Sequence, residues 1–199
     1  MHTDPLIGQV IDGRFQIVAS IGDGGMGSVY RAQQLDLDRW LAIKVLHAGF
    51  LGDADAVARF KREGRILCNL SHRNLLNCYR VGVHEGRFPF IAMELVEGQS
   101  LHSVLAKEEK LEWRRVLRIA IQVCQAMEFA HGQGVIHRDL KPSNIMLLDS
   151  TNAESLKVVD FGLARLLPEQ GNMRQHLTQT GALIGSVYYL SPEQCLGQR

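Results

Sequence analysis

His137-Arg138-Asp139-Leu140-Lys141-Pro142-Ser143-Asn144 places an acid, two cations and an amide within one short stretch. Asp139 can accept a hydroxyl proton, and Lys141 can neutralise a phosphoryl group in transfer. Asn144 offers a side-chain oxygen to a hard cation such as Mg²⁺. Downstream, Asp160-Phe161-Gly162 follows the apolar run Leu156–Val159, which sets a second oxygen ligand at a strand end. A loop cap would account for Asp139 alone, but not for both strings in this order.

Upstream, Gly22-Asp23-Gly24-Gly25-Met26-Gly27-Ser28-Val29 fits G-x-G-x-x-G-x-V between two runs with strand character. Without Cβ atoms, backbone N–H groups can approach phosphate oxygens closely. A strand rather than a helix follows the glycines, which excludes a dinucleotide-binding βαβ unit. Taken alone, a plain glycine hairpin fits equally well. Trp40–Leu46 is a nearly all-apolar strand interrupted by Lys44, and a buried lysine requires an anionic partner. Phosphates would supply one. Glu63, beside Phe60 and Leu67 on the next helix, is the other; a solvated helix charge is its bland alternative.

Working outward, strands are expected over Phe15–Ile21, Ser28–Ala32, Trp40–Leu46, Cys78–His84 and Phe88–Leu95. Asp53-Ala54-Asp55 caps a helix carrying Val57, Phe60, Leu67 and Leu70 on one side. Gly64 inside it costs about 0.5–1 kcal/mol relative to Ala and should loosen it. After a break at Glu97-Gly98, the residues Trp113, Val116, Leu117, Ala120, Val123, Met127 and Ala130 mark one apolar helix face. Short strands follow at Ile145–Leu148 and Leu156–Val159. The reading is α+β and bilobal: an N-terminal extension over 1–14, a nucleotide-binding lobe over 15–95, and a mainly helical but incomplete lobe over 96–199.

Composition agrees with a globular chain: 199 residues, 46% hydrophobic and 22% charged. Lys plus Arg number 22 against 21 Asp plus Glu, a net charge of +1, so nothing favours nucleic acid. Cys68, Cys78, Cys124 and Cys195 lack metal-ligand spacing and are expected to be small buried residues, neither zinc-bound nor disulfide-bonded. No basic leader with an apolar core is present, nor an apolar run of about 18 residues that could span a membrane. A soluble, cytoplasmic chain is expected.

Together these strings resemble the protein kinase family over Phe15 to Glu193, and within it the bacterial, eukaryote-like serine/threonine kinases. The resemblance implies ATP and Mg²⁺, or Mn²⁺ in its place, as cofactors, and Ser/Thr hydroxyls of proteins as acceptors. It implies that Ile21 and Gly22 to Val29 cover the nucleotide, with Asp23, Gly24, Gly25, Met26, Gly27 and Ser28 in the loop. Val29, Ala42 and Met146 would sandwich adenine, Met93 would guard the pocket, and Glu94–Val96 would be the hinge. Lys44 and Glu63 would pair, Asp139 and Lys141 would act on the transferring group, and Asn144 and Asp160 would hold the metal. Leu67, His137 and Phe161 would stack as a spine.

Leu177–Gly181 and Gly185–Gln194 are similar to the family's activation segment, with Ser186 where Thr is usual. Thr178 and Thr180 are its candidate phosphorylation sites, through self-association and trans-autophosphorylation, with Arg138 as the cation that meets the phosphate. Two solvated loop threonines are the simpler account. The sequence stops six residues after Glu193. The family's later helices are therefore expected to be missing, and the isolated chain to be weakly stable and poorly active. A pseudokinase, an inactive fragment or a scaffold is the rival reading.

Overall fold

A computed structural model describes residues 4–148, 155–161 and 188–195. Six antiparallel strands form the first sheet: β1 (Val10–Ile11), β2 (Phe15–Asp23), β3 (Gly27–Gln34), β4 (Arg39–Leu46), β5 (Cys78–His84) and β6 (Phe88–Glu94), in the order β1-β2-β3-β4-β6-β5. Alternation assigns the faces. Tyr30 lies opposite Ile43 and Val29 opposite Lys44. Phe15, Ile17, Tyr30, Ile43, Val45, Phe90 and Ala92 thus build one core, with the Phe15 and Phe90 rings edge to face at 6.0 Å. Val29, Ala42 and Lys44 fall on the other face. Ile11 is fully buried in the same core. The stretch read as an N-terminal extension therefore contributes a strand to this sheet.

Helix α1 (Ala54–Cys68) starts within the expected Asp53-Ala54-Asp55 cap, where the Asp53 carboxylate accepts from the N–H groups of Asp55 and Ala56, and it ends before Leu70, which was expected on it. Ala56, Phe60, Glu63, Gly64 and Leu67 form its buried side. Gly64 has a packing role that the expected loosening missed. A Cβ there would lie 2.7 Å from Val81 Cγ2 and 2.9 Å from Ile91 Cγ1, so the bare Cα lets α1 lie close against β5 and β6.

The cysteine expectation is corrected. Cys68 ends α1 and Cys78 begins β5; their Cα atoms are 4.5 Å apart and the two are disulfide-bonded. The packing of α1 on β5 creates this proximity, which widely spaced cysteines cannot reveal. Cys124 and Cys195 are free and exposed rather than buried.

Beyond the hinge lie β7 (Gly98–Ser100), α2 (Leu101–Glu108), α3 (Trp113–Gly132), β8 (Ile145–Leu148) and β9 (Leu156–Val158), with a short helix at Pro192–Cys195. β7, β8 and β9 form a small antiparallel sheet. Among the described residues, only part of α3's apolar surface is covered. Ile119, Ala126, Met127 and Ala130 join a core with Leu67, Leu75, Val104, Ile145, Leu147, Leu156, Val158 and Phe161. Trp113, Val116, Leu117 and Ile121 are exposed among the described residues, so the single face expected from the sequence is split in two.

The two halves are joined through Asn74–Leu76. Leu75 bridges Val158 in parallel, Val158 N–H donates to Asn74 O, and Leu76 N–H donates to Val158 O. The buried Asn74 also donates its Nδ2 to Leu156 O.

Candidate active site

Lys44 is delivered by β4 onto the sheet face that lacks the large core. Its Nζ lies 3.8 Å from Glu63 Oε1 and 3.6 Å from Asp160 Oδ1. Glu63 is 4% exposed whereas Asp160 is 61% exposed, so one carboxylate belongs to the interior and the other faces solvent. Burial pushes the Lys44 ammonium down, but Asp160 and Glu63 outweigh it and hold its pKa above the ordinary value. Burial also pushes the Glu63 carboxyl up, against the pull of Lys44. The lysine therefore stays cationic, as an anion-binding group must.

The residues of the His137–Asn144 stretch meet around Asp139. Lys141 Nζ is 2.8 Å from Asp139 Oδ2. Asn144 donates its Nδ2 to Asp139 O at 2.8 Å and approaches Oδ2 at 3.3 Å. With that nitrogen spent, the amide oxygen of Asn144 remains the group it can offer a cation. Asn144 O accepts from Val159 N–H at 2.9 Å, which fixes the loop to the chain leading into Asp160.

His137 closes the same joint. Its Nε2 lies 3.1 Å from Val159 O and its Nδ1 accepts from Asp139 N–H at 3.3 Å. This pattern selects the neutral tautomer with the proton on Nε2. Burial holds the His137 pKa below its ordinary value, consistent with that form. Its ring packs on Phe161 at 4.6 Å, and Phe161 shares a core with Leu67, so the expected spine residues are brought together. Arg138 and Asp160 adopt left-handed backbone, with φ of +64° and +54°. Such conformations cost about 1–3 kcal/mol and persist where surrounding contacts impose them.

Val29, Ala42, Met93 and Val96 share one apolar cluster with Leu76, Leu95 and Val159, as a planar base would require. Met146 is half-buried on β8 and stands outside that cluster. Ile21, Gly22, Asp23, Gly24 and Gly25 are exposed, whereas Gly27 is buried. A Cβ at Gly27 would come within 2.3 Å of Val45 O, so β4 forbids any side chain there. Asp160 and Asn144 present hard oxygen donors, the set that suits Mg²⁺. Gly162, Thr178, Thr180 and Ser186 lie outside the described residues.

Two contacts went unnoticed in the sequence. Lys157, only 7% exposed, reaches Glu94 Oε2 at 2.8 Å and Leu75 O at 3.0 Å. Asn77 donates its Nδ2 to the same Glu94 oxygen, so the hinge carboxylate is held from behind. His47, just beyond β4, touches the glycine loop. A lone lysine in an apolar strand was the available signal for the first; nothing marked His47.

The protein-family model described as "Protein kinase domain" matches residues 15–199. The chain is 43% identical over 198 residues to serine/threonine-protein kinase pkn3 of Myxococcus xanthus, covering 99% of this chain and 36% of that protein. It is 39% identical over 193 residues to serine/threonine-protein kinase PknB of Mycolicibacterium smegmatis, covering 96% and 30%. A crystal structure of the Mycobacterium tuberculosis PknI kinase domain aligns with a TM-score of 0.67 at 31% identity, covering 79% of this chain and 61% of that one. The chain thus spans about a third of the length of these curated relatives. No helix among the described residues is long and apolar enough to cross a membrane. With the lysine–carboxylate pair and the Asp139 loop assembled on a two-lobed scaffold, the chain belongs to the protein kinase domain family.

Proposed function

We propose that this chain transfers the γ-phosphoryl group of ATP to Ser or Thr hydroxyls of protein substrates. The observation that carries it is the 2.8 Å Lys141–Asp139 pair, held by Asn144, in a chain that also keeps Lys44 cationic between Glu63 and Asp160. Asp139 orients the attacking hydroxyl and takes its proton. Lys141 offsets charge on the transferring group, and Lys44, kept charged by Glu63 and Asp160, holds the nucleotide phosphates. Asn144 and Asp160 are the residues that would hold Mg²⁺, which when bound neutralises charge on the phosphates. Val29, Ala42, Met93 and Val96 enclose the base and exclude water from it.

In this reading the chain autophosphorylates at Thr178 or Thr180 after self-association, and Arg138 receives the phosphate. It works in the cytoplasm. A second reading is that the chain binds nucleotide without turnover. The two are separated by pairing a fluorescent ATP-analogue titration with transfer of labelled phosphate to a generic protein substrate. Asp139→Asn should leave binding within about two-fold while lowering transfer by at least about 10²-fold. Transfer by the Asn variant at the unaltered rate would remove Asp139 from this role. Saturable binding with no transfer by the unaltered chain would establish the second reading.

A further inference from the structure

The glycine loop is fastened to β4 by more than its own hairpin. Gly24 N–H donates to Gly27 O at 3.0 Å and closes the turn, while the backbone N–H of His47 donates to Met26 O at 2.9 Å. A side-chain cluster lies alongside. Asp23 and Ser28 face each other as the cross-strand pair that opens the loop. Ser28 Oγ–H donates to Asp23 Oδ1 at 2.8 Å. His47 Nε2 stands 2.9 Å from that same oxygen and 3.0 Å from Ser28 Oγ. A ring nitrogen this close to a carboxylate oxygen carries its proton, so Nε2–H is shared between Asp23 and Ser28. The two hydrogen bonds it receives hold the Asp23 carboxyl below its ordinary pKa, the Ser28 bond counting for more than the His47 bond.

His47 is three residues beyond Lys44, at the end of the strand that presents the phosphate-binding ammonium. The imidazole therefore couples the two elements that must grip one phosphate chain together. Its side is not the nucleotide's: Ser28 points to the face opposite Val29, so the cluster acts from outside the pocket. We propose that His47 is a positioning residue, whose clasp on Asp23 and Ser28 sets the glycine loop's distance from Lys44 and thereby favours phosphate-bearing ligands over the bare nucleoside. This rests on the ATP-binding reading given above.

His47→Ala and His47→Gln test it on the unbroken chain, because Gln restores an N–H donor while Ala retains only the backbone bond to Met26. For Ala, the dissociation constant of Mg·ATP should rise about three- to ten-fold and that of adenosine should stay within error. Amide exchange at Gly24–Met26 in the nucleotide-free chain should quicken by a similar factor, and Gln should recover most of both. An Ala variant with unaltered ATP affinity and exchange, or with equal losses for ATP and adenosine, overturns the proposal. If the unaltered chain binds neither ligand, the ATP-binding reading fails by itself. Exchange at the loop then decides, faster exchange supporting the clasp and unaltered exchange refuting it.

Discussion

Lys157 Nζ sits 2.8 Å from Glu94 Oε2, a nearly buried ammonium against the carboxylate that ends β6. This ion pair spans the last strand of the first sheet and the last strand of the second, and Leu75 O and Asn77 complete its polar surroundings. Lys157→Met should leave Glu94 short of its cation and cost about 1–3 kcal/mol, discounted because Glu94 is partly solvated. Thermal melts should show a fall of roughly 2–4 °C per kcal/mol for a chain of this size. Adding Glu94→Gln should recover part of the loss; a double variant worse than the sum of the singles would contradict an ion-pair origin.

Gly64→Ala sets helix propensity against space. Propensity favours Ala by about 1 kcal/mol, whereas forcing a methyl against Val81 and Ile91 costs about 1–3 kcal/mol. The steric term is expected to win, lowering stability by about 1 kcal/mol and moving Glu63, its neighbour, away from Lys44. Weaker Mg·ATP binding together with a lower denaturation midpoint is the expected pair of results.

His137 gives stability a pH dependence of defined sign. Its folded pKa lies below the ordinary 6.5, so the unfolded chain takes up the proton first as pH falls. Its contribution is complete above 6.5 and is lost as pH drops from there through the folded value. Urea midpoints between pH 7.5 and 5 should therefore decline more steeply for the unaltered chain than for His137→Gln, whose amide can still donate to Val159 O. Parallel slopes would show that other groups govern the decline.

Reduction should be felt in stability. The Cys68–Cys78 bridge closes a loop of ten residues, which on the loop-closure account constrains the unfolded chain by about 2–3 kcal/mol. Melting with and without a thiol reductant measures this, and Cys68→Ser should abolish the difference.

The residues legible in the sequence are those whose chemistry is packed into short strings. Asp139, Lys141 and Asn144 lie within one turn-sized stretch, and their mutual contacts follow from chain geometry alone. Lys44 was conspicuous because a charge in an apolar strand needs a partner, and α1 supplied it about three turns from its cap. The boundaries of β8, β5 and α1 were close to their expected places, the helix because an Asp cap and a 3.6-residue spacing marked it. Contacts set by tertiary approach were not legible. Cys68 meets Cys78 only because α1 packs on β5, and Lys157 meets Glu94 only because two sheets adjoin. Helix α2 was missed because its eight residues bury a single side chain, Val104, and so carry almost no periodic signal. The apolar face of α3 was read as one surface because sequence spacing says which side chains align, not which of them a neighbour covers.

The parallel bridge between Leu75 and Val158 also bears on how the chain acquires its shape during synthesis. Most pairings in the first sheet join strands adjacent in sequence, and they can form as soon as each hairpin leaves the ribosome. Asn74, Leu75 and Leu76 are different, because their backbone partners are about eighty residues further along. Until Leu156–Val158 emerges, the segment linking α1 to β5 has no strand to lie against, and Glu94 waits for Lys157. The first sheet should thus form early in translation, with the joint that ties it to the second sheet completed only when the strand before Asp160 has been made.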